Sequence, residues 1–243
     1  MPSSKAEILA RLQQDILPLQ GFKPAAARSV ADVGLGPIKS AFPGSKFPLG
    51  AVHEFCSNGA EAGAATAGFI SLIIASLMKD GAATIWISAS RSTYPPALKT
   101  FGVSPEKIIF IDLKNETDVQ WAMEEALKCD GLAAVVAEMS ELSFTASRRL
   151  QLAVEQSRVT GFVLRRNPRN LTTTACVTRW QITSLPSLGE NGMPGVGFPR
   201  WNVELLKVRN GKPGSWEVEA VSGRFRHLAT LKAIPAQEKR KTG

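Results

Sequence analysis

Short strand segments alternate with helical segments from Gly50 to about residue 165. The predicted strands are almost continuous apolar runs, as in 83–88 (ATIWIS) and 132–137 (LAAVVA). Strands of this kind are buried on both faces, which is typical of a parallel sheet covered by helices. The other predicted strands are 51–56, 107–113 and 161–164, and the predicted helices are 62–79, 95–101, 116–128 and 143–157. This order predicts an α/β fold with a mostly parallel central sheet flanked by helices.

After Asn170 the apolar residues recur with a period of two. Strands are predicted at 174–183, 200–209 and 215–221, and Asn210-Gly211 is a strong hairpin signal between the last two. Residues 186–198 are rich in Gly and Pro and predict a loop. The C-terminal part is therefore expected to form an antiparallel extension of the sheet.

Four segments are predicted along the chain. Residues 1–20 form an N-terminal helix, with Ser4 and Glu7 in the spacing of a capping box and an apolar stripe at helical period. Residues 21–50, rich in Gly, Pro and Ala, are expected to be an extended linker. Residues 51–221 form the core, and 222–243 a basic, flexible tail.

Composition limits the class of protein. Hydrophobic residues make up 44% of the 243, enough for a full core. No apolar run of membrane-spanning length and no signal-peptide pattern is read from the sequence, so a cytoplasmic protein is expected. The three cysteines lack metal-ligand spacing. His53 and His227 pair with no nucleophile, and His53 is expected to be structural.

A candidate nucleotide site follows the first strand. Residues 56–66 join a strand to a buried helix, which is the setting of a phosphate-binding loop. A working loop needs a lysine beside Ser or Thr to neutralise phosphate charge and hold Mg²⁺, yet no lysine occurs between Lys46 and Lys79. The candidate residues of this degenerate P-loop are Ser57, Gly59, Gly63 and Thr66. ATP binding is therefore not expected, and no cofactor is predicted.

Glu138 ends the predicted strand 132–137, where an acid could hold Mg²⁺ through water. Without the lysine, an acid that has no metal role is the favoured alternative.

Basic residues concentrate in the C-terminal part of the chain. Residues 1–142 contain 12 basic and 15 acidic side chains, whereas residues 143–243 contain 17 and 6. Such a half predicts a surface for nucleic acid or an acidic protein partner, the alternative being a solvated face that serves solubility. Trp180 and Trp201 follow arginines and could stack on bases, or else lie in the core. The candidate binding arginines are Arg148, Arg149, Arg158, Arg165, Arg166, Arg169, Arg179, Arg200, Arg224 and Arg226.

The order of parts resembles RecA, and the closest resemblance is to the ImuA family. The residues that carry it are FPLGAVHEF (47–55), LSFTASRRLQLAVEQ (142–156), LRR (164–166), RW (179–180) and PRWNVELLKVRNGKPGSWEVE (199–219). The resemblance covers roughly residues 30–220 and implies a RecA-like core. In the loop after the second strand the RecA family carries a catalytic glutamate, and Ser90 stands there in this chain.

The resemblance implies an accessory role in damage-induced mutagenesis and translesion synthesis. It implies contact with an ImuB-type, Y-family-like polymerase homologue, and further contacts with an error-prone replicative polymerase, RecA and DNA. The related SulA-type division inhibitors, which bind the tubulin-like division protein, are the alternative. A residual ATPase is the second alternative.

Overall fold

A computed structural model describes residues 32–78, 81–187 and 197–231 of the chain. Its α-helices in these residues are α1 (Gly59–Leu77), α2 (Glu116–Leu127) and α3 (Phe144–Ser157), and the 3₁₀ helices are Gly36–Ala41, Pro43–Ser45, Pro95–Phe101 and Pro105–Lys107. The strands are β1 (Val52–Ser57), β2 (Thr84–Ser88), β3 (Ile108–Asp112), β4 (Ala134–Met139), β5 (Thr160–Arg166), β6 (Thr178–Leu185), β7 (Arg200–Val208), β8 (Gly214–Val221) and β9 (Arg224–Leu231).

All nine strands belong to one sheet, in the order β3-β2-β4-β5-β1-β6-β7-β8-β9. The six strands from β3 to β6 run parallel, and β7, β8 and β9 continue antiparallel. The predicted parallel sheet and antiparallel extension are therefore confirmed. The extension begins one strand later than expected, because β6 pairs in parallel with β1, His53 facing Thr178.

The alternation of side chains along each strand divides the core into two layers. On one face α1 packs with the 3₁₀ segments against Phe55, Phe162 and Trp180. On the other face α2 and α3 pack against a second set that includes Val135 and Val163. Burial on both sides explains why the central strands are apolar at nearly every position.

α1 lies in the centre of the first layer. Its 19 residues and mean hydropathy of 1.6 would allow it to cross a membrane, which corrects the expectation that no segment has this length and composition. However, 61% of its apolar window is buried inside the protein. A side chain at Gly68 would lie 2.8 Å from Phe101 and 3.0 Å from Trp201, so this glycine allows close packing. Trp180 and Trp201 are buried core residues, as the alternative to base stacking required.

Two predicted boundaries are wrong. Within the expected linker 21–50, residues 32–50 carry two 3₁₀ helices and bury Leu35, Ile38 and Phe42 against the sheet. The expected tail 222–243 begins with β9, which pairs with β8 along its length. The glycine content of residues 32–50 and the basic charge of the C-terminal segment favoured irregular structure. Both segments are ordered by contacts with residues distant in the chain. The predicted helix 1–20 lies outside the described residues.

Candidate functional site

The connection from β1 to α1 is far shorter than a phosphate-binding loop. β1 ends at Ser57 and α1 begins at Gly59, so Asn58 alone separates them. The expected loop 56–66 is wrong, because Gly63 and Thr66 lie inside the helix. The Thr66 hydroxyl donates to the carbonyl of Ala62 at 2.7 Å. A P-loop binds phosphates with the backbone amides of a glycine-rich loop several residues long, and this connection contains no such loop.

The N-terminus of α1 is capped from a different part of the chain. Asn167, directly after β5, accepts a hydrogen bond from the Gly59 amide through its Oδ1 at 2.7 Å. The backbone amide of Asn167 donates to the carbonyl of Ser57 at 2.8 Å. Asn167 has a φ of 47°, a left-handed conformation that asparagine tolerates better than most residues. The side-chain oxygen of Asn167 thus accepts from a backbone amide at the helix N-terminus that could otherwise bind an anion.

Arg166 lies against the same end of the helix. Its Nε donates to Oε2 of Glu138 at 2.6 Å, and a side chain at Gly63 would collide with its Nη1. The Arg166 side chain is 24% exposed and that of Glu138 only 3%. Gly63 therefore leaves room for an arginine of the protein itself, next to the first turns of α1.

Glu138 lies within β4 and receives hydrogen bonds from four side chains. Oε1 accepts from Trp86 Nε1 at 2.7 Å and from the Thr93 hydroxyl at 3.0 Å. Oε2 accepts from Arg166 and from the Ser92 hydroxyl at 3.0 Å. Buried carboxylates are stable when charge and lone pairs are both compensated, and this one has both compensations inside the protein. We call Glu138, Arg166, Trp86, Ser92 and Thr93 the Glu138 cluster.

A second carboxylate cluster lies on the opposite face of the sheet. Glu54 is fully buried, and its two oxygens accept from Arg165 Nη1 and Arg179 Nε, each at 2.8 Å. The Thr174 hydroxyl donates to the second oxygen at 2.8 Å. Arg165 also pairs with Glu141 at 2.9 Å. We call Glu54, Glu141, Arg165 and Arg179 the Glu54 cluster; its formal charges cancel.

Basic side chains around this cluster hold the segment 167–175 by its carbonyl oxygens. Arg165 donates to Asn170 at 3.0 Å, and Arg179 donates to Thr172. Lys207, in β7, donates to the carbonyl of Thr174 at 2.7 Å, and Arg209, which follows β7, donates to the carbonyl of Ala175 at 3.1 Å. The loop after β5 is therefore fixed by the protein's own cations.

These contacts show how many of the predicted binding arginines are buried or paired within the protein. Arg165 has no exposed side-chain area, and Arg179 only 12%. Three more candidates have carboxylate partners: Arg149 with Glu124, Arg200 with Glu217 and Arg226 with Glu219. Arg158 is half-buried and ends α3 in a left-handed conformation. Among the ten candidates, exposed side chains without a carboxylate partner in the described residues are Arg148, Arg169 and Arg224.

Burial also determines the state of the titratable groups in the sheet. It lowers the pKa of His53 to about 4, and the ring bridges Pro48 O and the Thr178 hydroxyl, each at 2.8 Å. Burial, reinforced by the charge of Glu54, raises the pKa of the Cys56 and Cys176 thiols to about 12. These groups are therefore neutral near pH 7, which is typical of structural residues and not of nucleophiles.

Comparison with known proteins places this geometry in a family. No family model matches the chain. Protein ImuA of Caulobacter vibrioides, found in two strains, is 36% identical over 203 residues, which cover 79% of this chain and 83% of the relative. The chain belongs to the ImuA family. The solved structure of the RadB recombinase superposes with a TM-score of 0.57 at 14% identity, covering 82% of this chain and all of RadB. The fold is thus RecA-like.

In this ImuA-family chain the structure separates the predicted site residues. Ser57 donates to the carbonyl of Arg165, and Ser90 is exposed in the bend after β2. The hydroxyls that reach Glu138 come instead from Ser92 and Thr93. No sequence motif marks Trp86, Asn167 or Glu54; the nearest signal in the sequence is Arg165-Arg166, which follows the predicted strand 161–164. Among the described residues no group of His, Cys, Asp or Glu has the arrangement of a metal site.

Proposed function

We propose that this ImuA-family chain is a non-catalytic accessory subunit of an error-prone translesion-synthesis complex in the bacterial DNA-damage response, and that it works in the cytoplasm. The family membership supports the biological setting. The observation that carries the non-catalytic role is Arg166, whose guanidinium lies against α1 and pairs with Glu138. The Arg166–Glu138 pair neutralises the acid of β4, and Asn167 accepts from the Gly59 amide that begins α1, so both features of a RecA-like nucleotide site have partners inside the protein.

Nucleotide binding would require several contacts to be replaced at once. Mg-ATP would have to displace the Arg166–Glu138 pair and the Asn167 cap, without a lysine to neutralise its phosphates. Removing one partner from a buried ion pair costs about 3–5 kcal/mol, which would be subtracted from the binding energy. We therefore propose that the chain uses no nucleotide cofactor and that the residual-ATPase alternative does not apply.

We further propose that the chain acts through protein contacts, with an ImuB-type polymerase homologue as its main partner. A replicative polymerase and RecA are further partners in this proposal. Direct DNA binding has less support than the net charge suggests, because Arg165, Arg166 and Arg179 are engaged inside the protein. Neutralised phosphates set the strength and salt dependence of DNA binding, so arginines that are already paired inside the protein add little to it.

The test is damage-induced mutagenesis in a strain that lacks the gene. We expect the deletion to abolish the ultraviolet-induced increase in mutation frequency and the wild-type gene to restore it. Lys99→Glu changes an exposed lysine on the 3₁₀ helix Pro95–Phe101, outside the candidate binding residues, and serves as a control that should restore mutagenesis fully. An unchanged mutation frequency in the deletion strain would refute the proposed role.

The division-inhibitor alternative makes a different prediction. A SulA-like protein would block the tubulin-like division ring, so overexpression would give filamentous cells. We expect cells of normal length when this chain is overexpressed without DNA damage. Filamentation would favour the alternative over the mutasome role.

A further inference from the structure

Exposed apolar side chains gather on one side of the sheet. Seven large hydrophobic residues are exposed in the described residues, and four of them lie on α2, on α3 or on the loop beside α3. They are Trp121 (63% exposed), Phe144 (55%), Leu152 (46%) and Leu171 (48%). Single exposed apolar residues are ordinary, but a group of them on one surface indicates a contact site.

An ion pair joins the two helices in the middle of this group. Glu124 of α2 and Arg149 of α3 approach to 2.6 Å. Trp121 lies three residues before Glu124, and Leu152 lies three residues after Arg149, so each is one turn away on its own helix. The bridge therefore has an exposed apolar side chain next to it on both helices.

The outward side of α3 repeats this arrangement. Phe144, Arg148 and Leu152 are spaced by four residues and form one stripe along the helix. All three are exposed, and Arg148 has no carboxylate partner in the part of the chain that the structure describes. The stripe thus presents two apolar side chains with a free cation between them.

The loop that carries Leu171 is held beside α3 by hydrogen bonds. The amide of Ala175 donates to the Ser147 hydroxyl of α3 at 2.9 Å, and the amide of Arg169 donates to Glu141 at 2.9 Å. Leu171 lies between these two anchors. Because the Glu54 cluster and its cations also fix this loop, Leu171 is displayed without the entropy cost of ordering it on binding. We call Trp121, Phe144, Arg148, Leu152 and Leu171 the α2–α3 face.

We propose that the α2–α3 face docks an amphipathic helix of the polymerase-like partner, in which apolar side chains flank a carboxylate that pairs with Arg148. A helix that docks in this way would present its own apolar anchors at i, i+3 or i+4, and these would pack against Phe144 and Leu152. This inference rests on the proposed function, since it locates the partner's docking surface on the accessory subunit. Glu124 pairs with Arg149 on this surface and the exposed Glu141 lies just before α3, so negative charge accompanies the positive charge, which favours a protein occupant over a polyanion.

The test measures binding of the full-length chain to the purified ImuB-type protein from the same organism. We expect Phe144→Ala combined with Leu152→Ala to weaken the Kd at least 10-fold, and Arg148→Glu to do the same. Matched controls lie elsewhere: Tyr94→Ala removes a side chain that is 70% exposed, and Lys99→Glu reverses an exposed cation on the 3₁₀ helix Pro95–Phe101. Both controls should bind within twofold of wild type. Because every substituted side chain is exposed, circular dichroism and Tm should be unchanged.

Several outcomes would overturn the inference, and they are distinguishable. If wild type binds while the double variant binds equally well, the surface is wrong and the proposed function stands. If wild type does not bind at all, the partner in the proposed function is wrong, and the inference falls with it. If Lys99→Glu weakens binding as much as Arg148→Glu, the effect of charge is non-specific. If the double variant abolishes self-association in ultracentrifugation without affecting partner binding, the occupant is a second copy of this chain.

Discussion

Replacing Arg165 by methionine tests whether this arginine stabilises the fold or binds DNA. The side chain is fully buried and makes four contacts: with Glu54 at 2.8 Å, Glu141 at 2.9 Å, and the carbonyls of Ser140 and Asn170 at 3.1 and 3.0 Å. Methionine retains most of the volume but removes the charge. Glu54 would then keep Arg179 and the Thr174 hydroxyl as its partners.

Loss of one partner from a buried ion pair costs about 3–5 kcal/mol. For a domain of this size each kcal/mol lowers Tm by about 2–4 °C, so the expected decrease is roughly 6–20 °C. Urea denaturation should give the same free-energy difference from the shift in midpoint at constant m-value. Arg169→Met is the matched control, because its side chain is exposed and should change stability by less than about 0.5 kcal/mol.

A stable Arg165→Met variant would contradict a structural role for this arginine. A loss of less than about 1 kcal/mol would mean that the Glu54 cluster contributes little to the fold. If that variant also lost DNA binding while Arg169→Met did not, Arg165 would be a binding residue after all.

Three further predictions concern the nucleotide position and the sheet. Mg-ATP at 1 mM should leave Tm unchanged, whereas a ligand with a Kd of about 10 µM would add about 2.7 kcal/mol of stability; a clear upward shift would contradict the proposal. Gly63→Val should destabilise the fold by about 1–3 kcal/mol because the side chain meets Arg166, while Ala60→Val at the exposed start of α1 should cost less than about 1 kcal/mol in the same denaturation assay. The pKa of His53 falls from 6.5 to about 4 on folding, so the unfolded chain binds the proton more readily than the folded protein. The contribution of His53 to the free energy of unfolding is therefore complete above pH 6.5 and decreases as the pH falls to 4, by about 3 kcal/mol in total. The stability difference between wild type and His53→Gln should shrink over that range, and a constant difference would show that His53 does not titrate this way.

Much of the fold could be predicted because its signals are local. Strands buried on both faces must be apolar throughout, and the segments 83–88 and 132–137 carry that pattern. The period of two after residue 170 reflects a sheet with one packed face, as in β7, where buried positions alternate with half-buried ones. Local signals failed at Leu35 and at β9, since their burial and pairing depend on residues distant in the chain.

Some features of the candidate site are likewise visible in the sequence, and others depend on tertiary contacts. The missing lysine after β1 is a property of the amino-acid sequence, and it alone argues against a working P-loop. The net basic charge of residues 143–243 is likewise a sequence property. How that charge is used depends on three-dimensional neighbours, because an arginine that meets a carboxylate in the core and one that faces solvent are identical in sequence.

The amino-acid sequence alone shows the α/β alternation, the missing P-loop lysine and the ImuA resemblance. The three-dimensional structure adds that Arg166 lies against α1 and that Arg165 and Arg179 neutralise Glu54. It also adds that Arg148 is exposed between Phe144 and Leu152, without a carboxylate partner in the described residues. The physical reason is range: backbone periodicity acts over a few residues, whereas the Glu54–Arg165 pair joins positions 111 residues apart.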